Sequence, residues 1–227
     1  MITVSQFTSS YSSFWDSCFP ALEGYIRVIN SGAYKRVYDE MGWEVSAARS
    51  ALVSEVAFCL AKEKNGNVSN AYIEARKRLS GLPGVVDDKK ELDKQEISCA
   101  ITLARRLWGM LENLGGKSIE PCFDPSFIGC GSLMKSSGDI QIRDCLIEIK
   151  SVDRGFRATD FRQLITYFLL DSFSKKASIK HICIMNARRG VYHASTIEEF
   201  VYDTSASGIM DIQQKFLSSL GHSGISR

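Results

Sequence analysis

The stretch from residue 137 to 151 alternates apolar and polar side chains in two short arms, and it constrains the fold more than any other feature. In the first arm Ile140 and Ile142 fall on one face. Alternation of this kind is typical of a half-buried β-strand. The second arm, residues 145–150, alternates in the same way. With residues 143–144 as a two-residue turn, the stretch predicts an antiparallel hairpin.

The register of this hairpin would bring two carboxylates together. If Ile142 pairs with Cys145, counting outward places Asp139 opposite Glu148. Directly opposed residues have Cβ atoms about 4.5–5.5 Å apart. Lys150 lies on the same face as Glu148, and the reverse face carries apolar residues that could be buried.

This trio has a chemical use. Two converging carboxylates beside a backbone carbonyl form a site for a hard divalent cation, because Mg²⁺ prefers oxygen ligands. The predicted ligands of Mg²⁺ or Mn²⁺ are Asp139, Glu148 and the carbonyl of Ile149, with Lys150 positioning the attacking water. A plainer interpretation stays open on these residues alone, in which the charges are a solvated cross-strand set.

A helix and a further strand follow the hairpin. The segment from Thr159 to Asp171 has apolar residues at core spacing. Gln163 and Tyr167 lie at positions i and i+4 on one flank of that helix and present one polar edge. An apolar strand is then predicted from Ile179 to Met185.

In this order the elements resemble the PD-(D/E)XK nuclease superfamily, specifically its RecB-like branch. The resemblance covers about residues 121–195 and rests on Gly138-Asp139, Glu148-Ile149-Lys150 and the Gln-xxx-Tyr pair at 163 and 167. Residues 127–131 resemble the glycine-containing strand that precedes the aspartate in such proteins. Gly138 stands where the family motif has proline.

The resemblance implies an α/β protein whose restriction-endonuclease-like mixed sheet is flanked by helices. It also implies metal-dependent hydrolysis of phosphodiester bonds, with DNA as the expected substrate, in defence, repair or mobile-element processing. The implied catalytic residues are Asp139, Glu148, Lys150, Gln163 and Tyr167. Gln163 and Tyr167 would brace the metal site or contact the substrate backbone.

Many members of this branch add an acidic or histidine ligand from an upstream helix, and Glu55 is the candidate here. Its neighbours in sequence are apolar, and a buried carboxylate needs a partner. In one interpretation its helix delivers Glu55 toward Asp139 and Glu148. In the other, Glu55 is exposed and unpaired. Glu74 is a weaker candidate, because the basic residues 76–78 mark its helix as solvated.

The 227 residues suffice for one domain or a small two-part unit. Residues 1–115 are expected to form an almost wholly helical region packed on a nuclease core of residues 116–227. Helices are predicted at Glu44–Lys64, Ser69–Leu79, Lys94–Asn113 and Gly208–Leu220.

A net charge of +2 favours a local nucleic-acid groove over a basic coat. The candidate phosphate contacts are Arg154, Arg157, Arg188 and Arg189. Seven dispersed cysteines contain no Cys-x-x-Cys pair, which predicts reduced thiols, no iron–sulfur cluster and a cytoplasmic location. No phosphate-binding loop is present, so no nucleotide is expected, and an ATP-driven activity would need a partner ATPase or helicase.

Neither a membrane-spanning run nor a signal peptide is predicted. Two other functions remain open: a catalytically silent nuclease-fold module that binds nucleic acid or a partner protein, and a structural protein whose helical half mediates oligomerisation. The sequence does not distinguish DNA from RNA, end from internal cleavage, or one oligomeric state from another.

Overall fold

The computed structural model describes residues 1–64, 66–80, 90–175 and 177–221. Its helices are α1 (Val4–Ser10), α2 (Ser12–Cys18), α3 (Leu22–Asn30), α4 (Ala47–Lys62), α5 (Val68–Leu79), α6 (Lys94–Gly115), α7 (Ala158–Ser172), α8 (Ile197–Thr204) and α9 (Ile209–Gly221). Its strands are β1 (Lys35–Arg36), β2 (Cys122–Phe123), β3 (Ser126–Phe127), β4 (Ser136–Ser137), β5 (Ile140–Ile142), β6 (Cys145–Lys150), β7 (His181–Asn186) and β8 (Val191–Thr196).

Six strands form one mixed sheet in the order β1-β8-β7-β6-β5-β2, in which only β6 and β7 pair in parallel. The predicted hairpin is confirmed in its register, with Ile140 opposite Ile147 and Ile142 opposite Cys145. Helices flank both faces of the sheet, so the mixed α/β class is confirmed.

Alternate residues of β5–β8 enter two different hydrophobic clusters. Leu146 and Ile184 pack with α1–α3 and α7–α9 on one face. Ile147 and Met185 pack with α4–α6 on the other face. Each cluster therefore mixes residues from before and after position 115, and the boundary between a helical region and a core stays a prediction.

The predicted helices form with ends shifted by a few residues, and their apolar residues lie in the two hydrophobic clusters. α6 begins at an Asp93 cap, whose carboxylate accepts hydrogen bonds from the backbone N–H groups of Gln95 and Glu96. The expectation that residues 1–115 are almost wholly helical is wrong at one point. Lys35 and Arg36 pair with β8 and form an edge of the sheet.

The glycine-containing strand predicted at residues 127–131 is also wrong. Of these residues only Phe127 is part of a strand. Together with Ser126 it pairs with β4 in a separate two-stranded ribbon, and Cys130 forms an isolated bridge to Leu133. The backbone at Gly129 passes so close to the carbonyl of Leu133 that a side chain would clash. Because the chain turns back there, the run cannot continue as a strand.

Among the helices in the described ranges, none combines the length and apolarity that crossing a membrane requires.

Candidate active site

Asp139 directly precedes β5 and faces the far end of β6. Its Oδ2 accepts a hydrogen bond from the backbone N–H of Ile149 at 2.7 Å. Burial raises the pKa of the Asp139 carboxyl, and the Ile149 hydrogen bond opposes that rise. The hairpin register thus holds Asp139 against the Glu148–Lys150 segment.

Glu148 is buried in β6, with a side chain 3% exposed. Its Oε1 accepts a hydrogen bond from Lys150 Nζ at 2.7 Å. The other oxygen, Oε2, is buried and has no hydrogen-bond partner among the described residues. Burial and the nearby negative charge of Asp139 raise the pKa of Glu148 to about 8. A buried oxygen of this kind favours a proton or a metal ion as its partner.

Lys150 lies between two acids. Besides Glu148, Asp160 Oδ1 is 3.7 Å from its ammonium nitrogen. Burial lowers the pKa of Lys150, but the charges of Glu148 and Asp160 outweigh burial and raise it. The ammonium group is therefore held in its protonated form.

Sequence reasoning missed Asp160, which organises this side of the site. Its carboxylate accepts two hydrogen bonds from Arg154, at 2.8 and 3.1 Å, and one from the backbone N–H of Arg157 at 2.9 Å. The last bond belongs to the first turn of α7, where an acid at the third helical position commonly caps the helix. That capping pattern could have identified Asp160 as a fixed carboxylate, but not its approach to Lys150.

The predicted polar edge of α7 lies beside the carboxylates of Asp139 and Glu148. Gln163 Nε2 donates to the hydroxyl of Tyr167 at 3.3 Å. The Tyr167 ring stacks on Phe127, with ring centroids 5.1 Å apart. Burial and the negative charge of Glu148 raise the pKa of Tyr167, so its hydroxyl is kept neutral beside the site.

Local contacts explain why position 138 is glycine and not proline. Its backbone N–H donates to the carbonyl of Pro125 at 2.9 Å. A proline at this position, as in the family motif, would remove that donor. A Cβ would also lie 3.2 Å from both Leu146 and Phe127, which is a tight contact.

Glu55 lines a pocket of about 300 Å³ at the end of β6, together with Arg78, Asp139 and Lys150. The interpretation of Glu55 as exposed and unpaired is wrong, since its side chain is 23% exposed and forms an ion pair with Arg78. Burial raises the pKa of Glu55, and the charge of Asp139 adds to that rise while Arg78 opposes it. The expectation that the basic residues 76–78 mark a solvated helix is likewise wrong at Arg78, whose side chain is 29% exposed.

The four candidate phosphate-binding arginines have different surroundings. Arg154 is engaged by Asp160, whereas Arg157 is exposed. Arg188 lies over the ring of Trp43, 5.0 Å from its centroid, and 3.6 Å from the exposed carboxylate of Asp153. Arg189 is half-buried. Arg157 is therefore the most accessible of the four for a phosphate contact.

The donor set suits a hard divalent cation in its chemistry. Glu148 supplies a buried oxygen that has no hydrogen-bond partner in the described ranges, and Asp139 has one oxygen beyond that bound by Ile149. A third acid is not in place: in the part of the chain that the structure describes, no three His, Cys, Asp or Glu side chains are grouped to hold a metal. The arrangement fits a site built on two carboxylates and a backbone carbonyl.

The raised pKa of Glu148 leads to a prediction about stability. The folded state retains this proton up to about pH 8, whereas the unfolded chain releases it near the ordinary value of 4.5. The free energy of unfolding of the wild type should therefore fall as the pH rises through this window. Glu148→Gln cannot titrate, so its stability relative to wild type should increase from pH 5 to pH 8, with a slope approaching about 1.4 kcal/mol per pH unit.

Urea denaturation in the presence of a chelator, at several pH values, measures this difference. Glu198→Gln is the matched control, because Glu198 is exposed on α8. A stability difference for Glu148→Gln that does not change with pH would contradict the assigned protonation.

Comparison with protein-family models, curated proteins and solved structures gives no significant match to this chain. The geometry of the pocket and of the β5–β6 hairpin is therefore the basis for the functional inference.

Proposed function

We propose that this protein is a divalent-metal-dependent nuclease that hydrolyses phosphodiester bonds, with DNA as its substrate. One observation supports this most strongly. Glu148 Oε2, buried and without a hydrogen-bond partner among the described residues, lies on the strand that also hydrogen-bonds Asp139, with Lys150 two residues further on. A solvated cross-strand charge set, the plainer alternative, would not bury Glu148 to this extent.

Three residues would hold the cation, and Lys150 would act on the water and the phosphate. Asp139, Glu148 and the carbonyl of Ile149 would hold Mg²⁺ or Mn²⁺, which supplies Lewis-acid activation of the phosphodiester and of the attacking water when bound. Because the neighbouring acids keep Lys150 protonated, it acts as a hydrogen-bond donor and a positive charge. It would orient the water and stabilise the negative charge that develops on the phosphate.

The polar edge of α7 would act as a brace. Tyr167 is held between the ring of Phe127 and the side chain of Gln163. A neutral hydroxyl beside two carboxylates can donate a hydrogen bond to them or to a substrate oxygen. Asp160 would keep Lys150 in place from the other side.

The alternative is a silent nuclease-fold module that binds nucleic acid or a partner protein. It is favoured by the lack of a third acidic ligand within the described ranges. The two functions differ in one measurable property, because the silent module would bind DNA without cutting it.

Incubation of the purified protein with linear DNA, circular DNA and RNA separates these functions. Each substrate is tested with Mg²⁺, with Mn²⁺ and with a chelator. We expect DNA cleavage with either cation and none with the chelator. Cleavage of circular DNA would identify internal cutting, and retention of every substrate under all conditions would contradict the nuclease assignment.

A further inference from the structure

Arg78 forms the link between two carboxylates at the edge of the candidate site. Its Nε donates to Glu55 Oε1, and its Nη1 donates to Asp124 Oδ1 at 2.8 Å. The guanidinium also lies over the ring of Phe58, 4.9 Å from the centroid. A planar guanidinium held by two acids and a ring has little rotational freedom.

The two acids differ in how they are neutralised. Asp124 has a second cation, since Lys62 Nζ is 2.7 Å from its Oδ2. For Glu55, Arg78 provides the sole ion pair found in the described ranges. Loss of Arg78 would therefore leave Glu55 without a counter-ion while Asp124 keeps one.

Glu55 is also connected electrostatically to the predicted metal ligands. It lines the same pocket as Asp139 and Ile149. The backbone N–H of Asp124 donates to the carbonyl of Asp139 at 2.9 Å, so the Arg78 network and the start of β5 are in direct contact. A divalent cation bound at Asp139 would attract Glu55 and repel Arg78.

We propose that Arg78 is the positively charged partner of Glu55 in the metal-free protein and that a bound divalent cation replaces Arg78 in this role. In the metal-free protein Arg78 neutralises Glu55. When a divalent cation binds at Asp139 and Glu148, Glu55 turns toward it as an additional ligand, and Arg78 remains on Asp124. This inference rests on the divalent site of the proposed function and adds that Arg78 lowers the affinity of that site.

Calorimetric titration with MnCl₂, in the absence of DNA, tests the exchange. Arg78→Met should bind Mn²⁺ about tenfold more tightly than wild type, because Glu55 is no longer engaged. Lys77→Met is the matched control, since it removes the same charge from an exposed position on the same helix. It should change the affinity less than twofold.

The gain should depend on Glu55. Against a Glu55→Gln background, Arg78→Met should leave the Mn²⁺ affinity within about twofold of that of Glu55→Gln alone. Unchanged or weaker Mn²⁺ binding by Arg78→Met, or an equal gain in the Glu55→Gln background, overturns the exchange.

A second measurement uses the wild type and does not depend on whether the variants fold. In a nuclear magnetic resonance titration with Mg²⁺, the Arg78 Nε–H signal should shift saturably and exchange faster with water. An unchanged signal at saturating Mg²⁺ overturns the proposal. A protein that cleaves DNA but shows neither effect would retain the proposed function without the exchange, whereas both effects without cleavage would retain the exchange and exclude the nuclease.

Discussion

Asp139→Asn and Glu148→Gln should each lower the rate of metal-dependent DNA cleavage by on the order of a thousandfold. Each change replaces a charged ligand oxygen with a neutral amide at the site where the cation would bind. Glu148 is the more sensitive position, because its Oε2 is buried without a hydrogen-bond partner in the described ranges. Single-turnover cleavage of a labelled DNA duplex with Mg²⁺ or Mn²⁺ measures the effect.

Asp144→Asn is the matched control for both variants. It removes one carboxylate from the turn of the same hairpin, where Asp144 is partly exposed and lies 3.4 Å from His181. We expect it to cleave within about twofold of wild type. All three proteins should remain folded. At pH 8 and above, where Glu148 loses its proton, removal of either buried site acid should hold or raise the thermal stability, because it relieves repulsion between Asp139 and Glu148. Wild-type rates for both site variants would exclude this assignment of the ligands.

Lys150→Met should also abolish detectable turnover, but for a different reason. Methionine retains the aliphatic length of the side chain and removes the ammonium group that is placed to orient the water and stabilise the phosphate charge. Lys150 supplies no ligand oxygen, so the divalent cation should still bind. The comparison of cleavage rate with Mn²⁺ affinity therefore separates Lys150 from Asp139 and Glu148.

The pH at which the Mn²⁺ affinities of wild type and Lys150→Met are compared affects the result. Because Lys150 lowers the pKa of Glu148, its removal favours the protonated carboxyl at neutral pH and weakens cation binding indirectly. Calorimetry at pH 9 reduces this effect, and Mn²⁺ affinity should then lie within about tenfold of wild type. Lys215→Met, an exposed change on α9, should alter neither property. Complete loss of Mn²⁺ binding by Lys150→Met at pH 9 would assign the lysine a structural role.

The hairpin was predictable because its information is local. Alternation set which residues face each side, and a two-residue turn then left one register that buries Ile140 against Ile147. The α7 helix was predictable for a similar reason, since its apolar spacing and the Gln163–Tyr167 edge lie within a few turns of one segment.

The charge partners were less predictable. A basic run at residues 76–78 indicates a solvated helix by composition, yet Arg78 points between α4 and the turn at Asp124. The contact between Asp160 and Lys150 was unpredictable for the same reason. A helix-capping acid is recognisable in the sequence, but nothing near it indicates that a lysine ten residues earlier lies 3.7 Å away. Such pairs form between segments that are distant or differently oriented in the chain.

The sequence by itself determined the β5–β6 hairpin, the α7 helix and the pairing of Asp139 with the Glu148–Lys150 strand, because periodicity and turn length act over a few residues. Only the tertiary structure decided that α1–α3 and α4–α6 cover opposite faces of the sheet. It also decided that Glu55 lines the pocket beside Asp139 and forms an ion pair with Arg78. The physical reason is that packing and ion pairing depend on which surfaces meet. The surfaces that meet are those that leave the least unpaired charge buried and the least apolar area exposed to water.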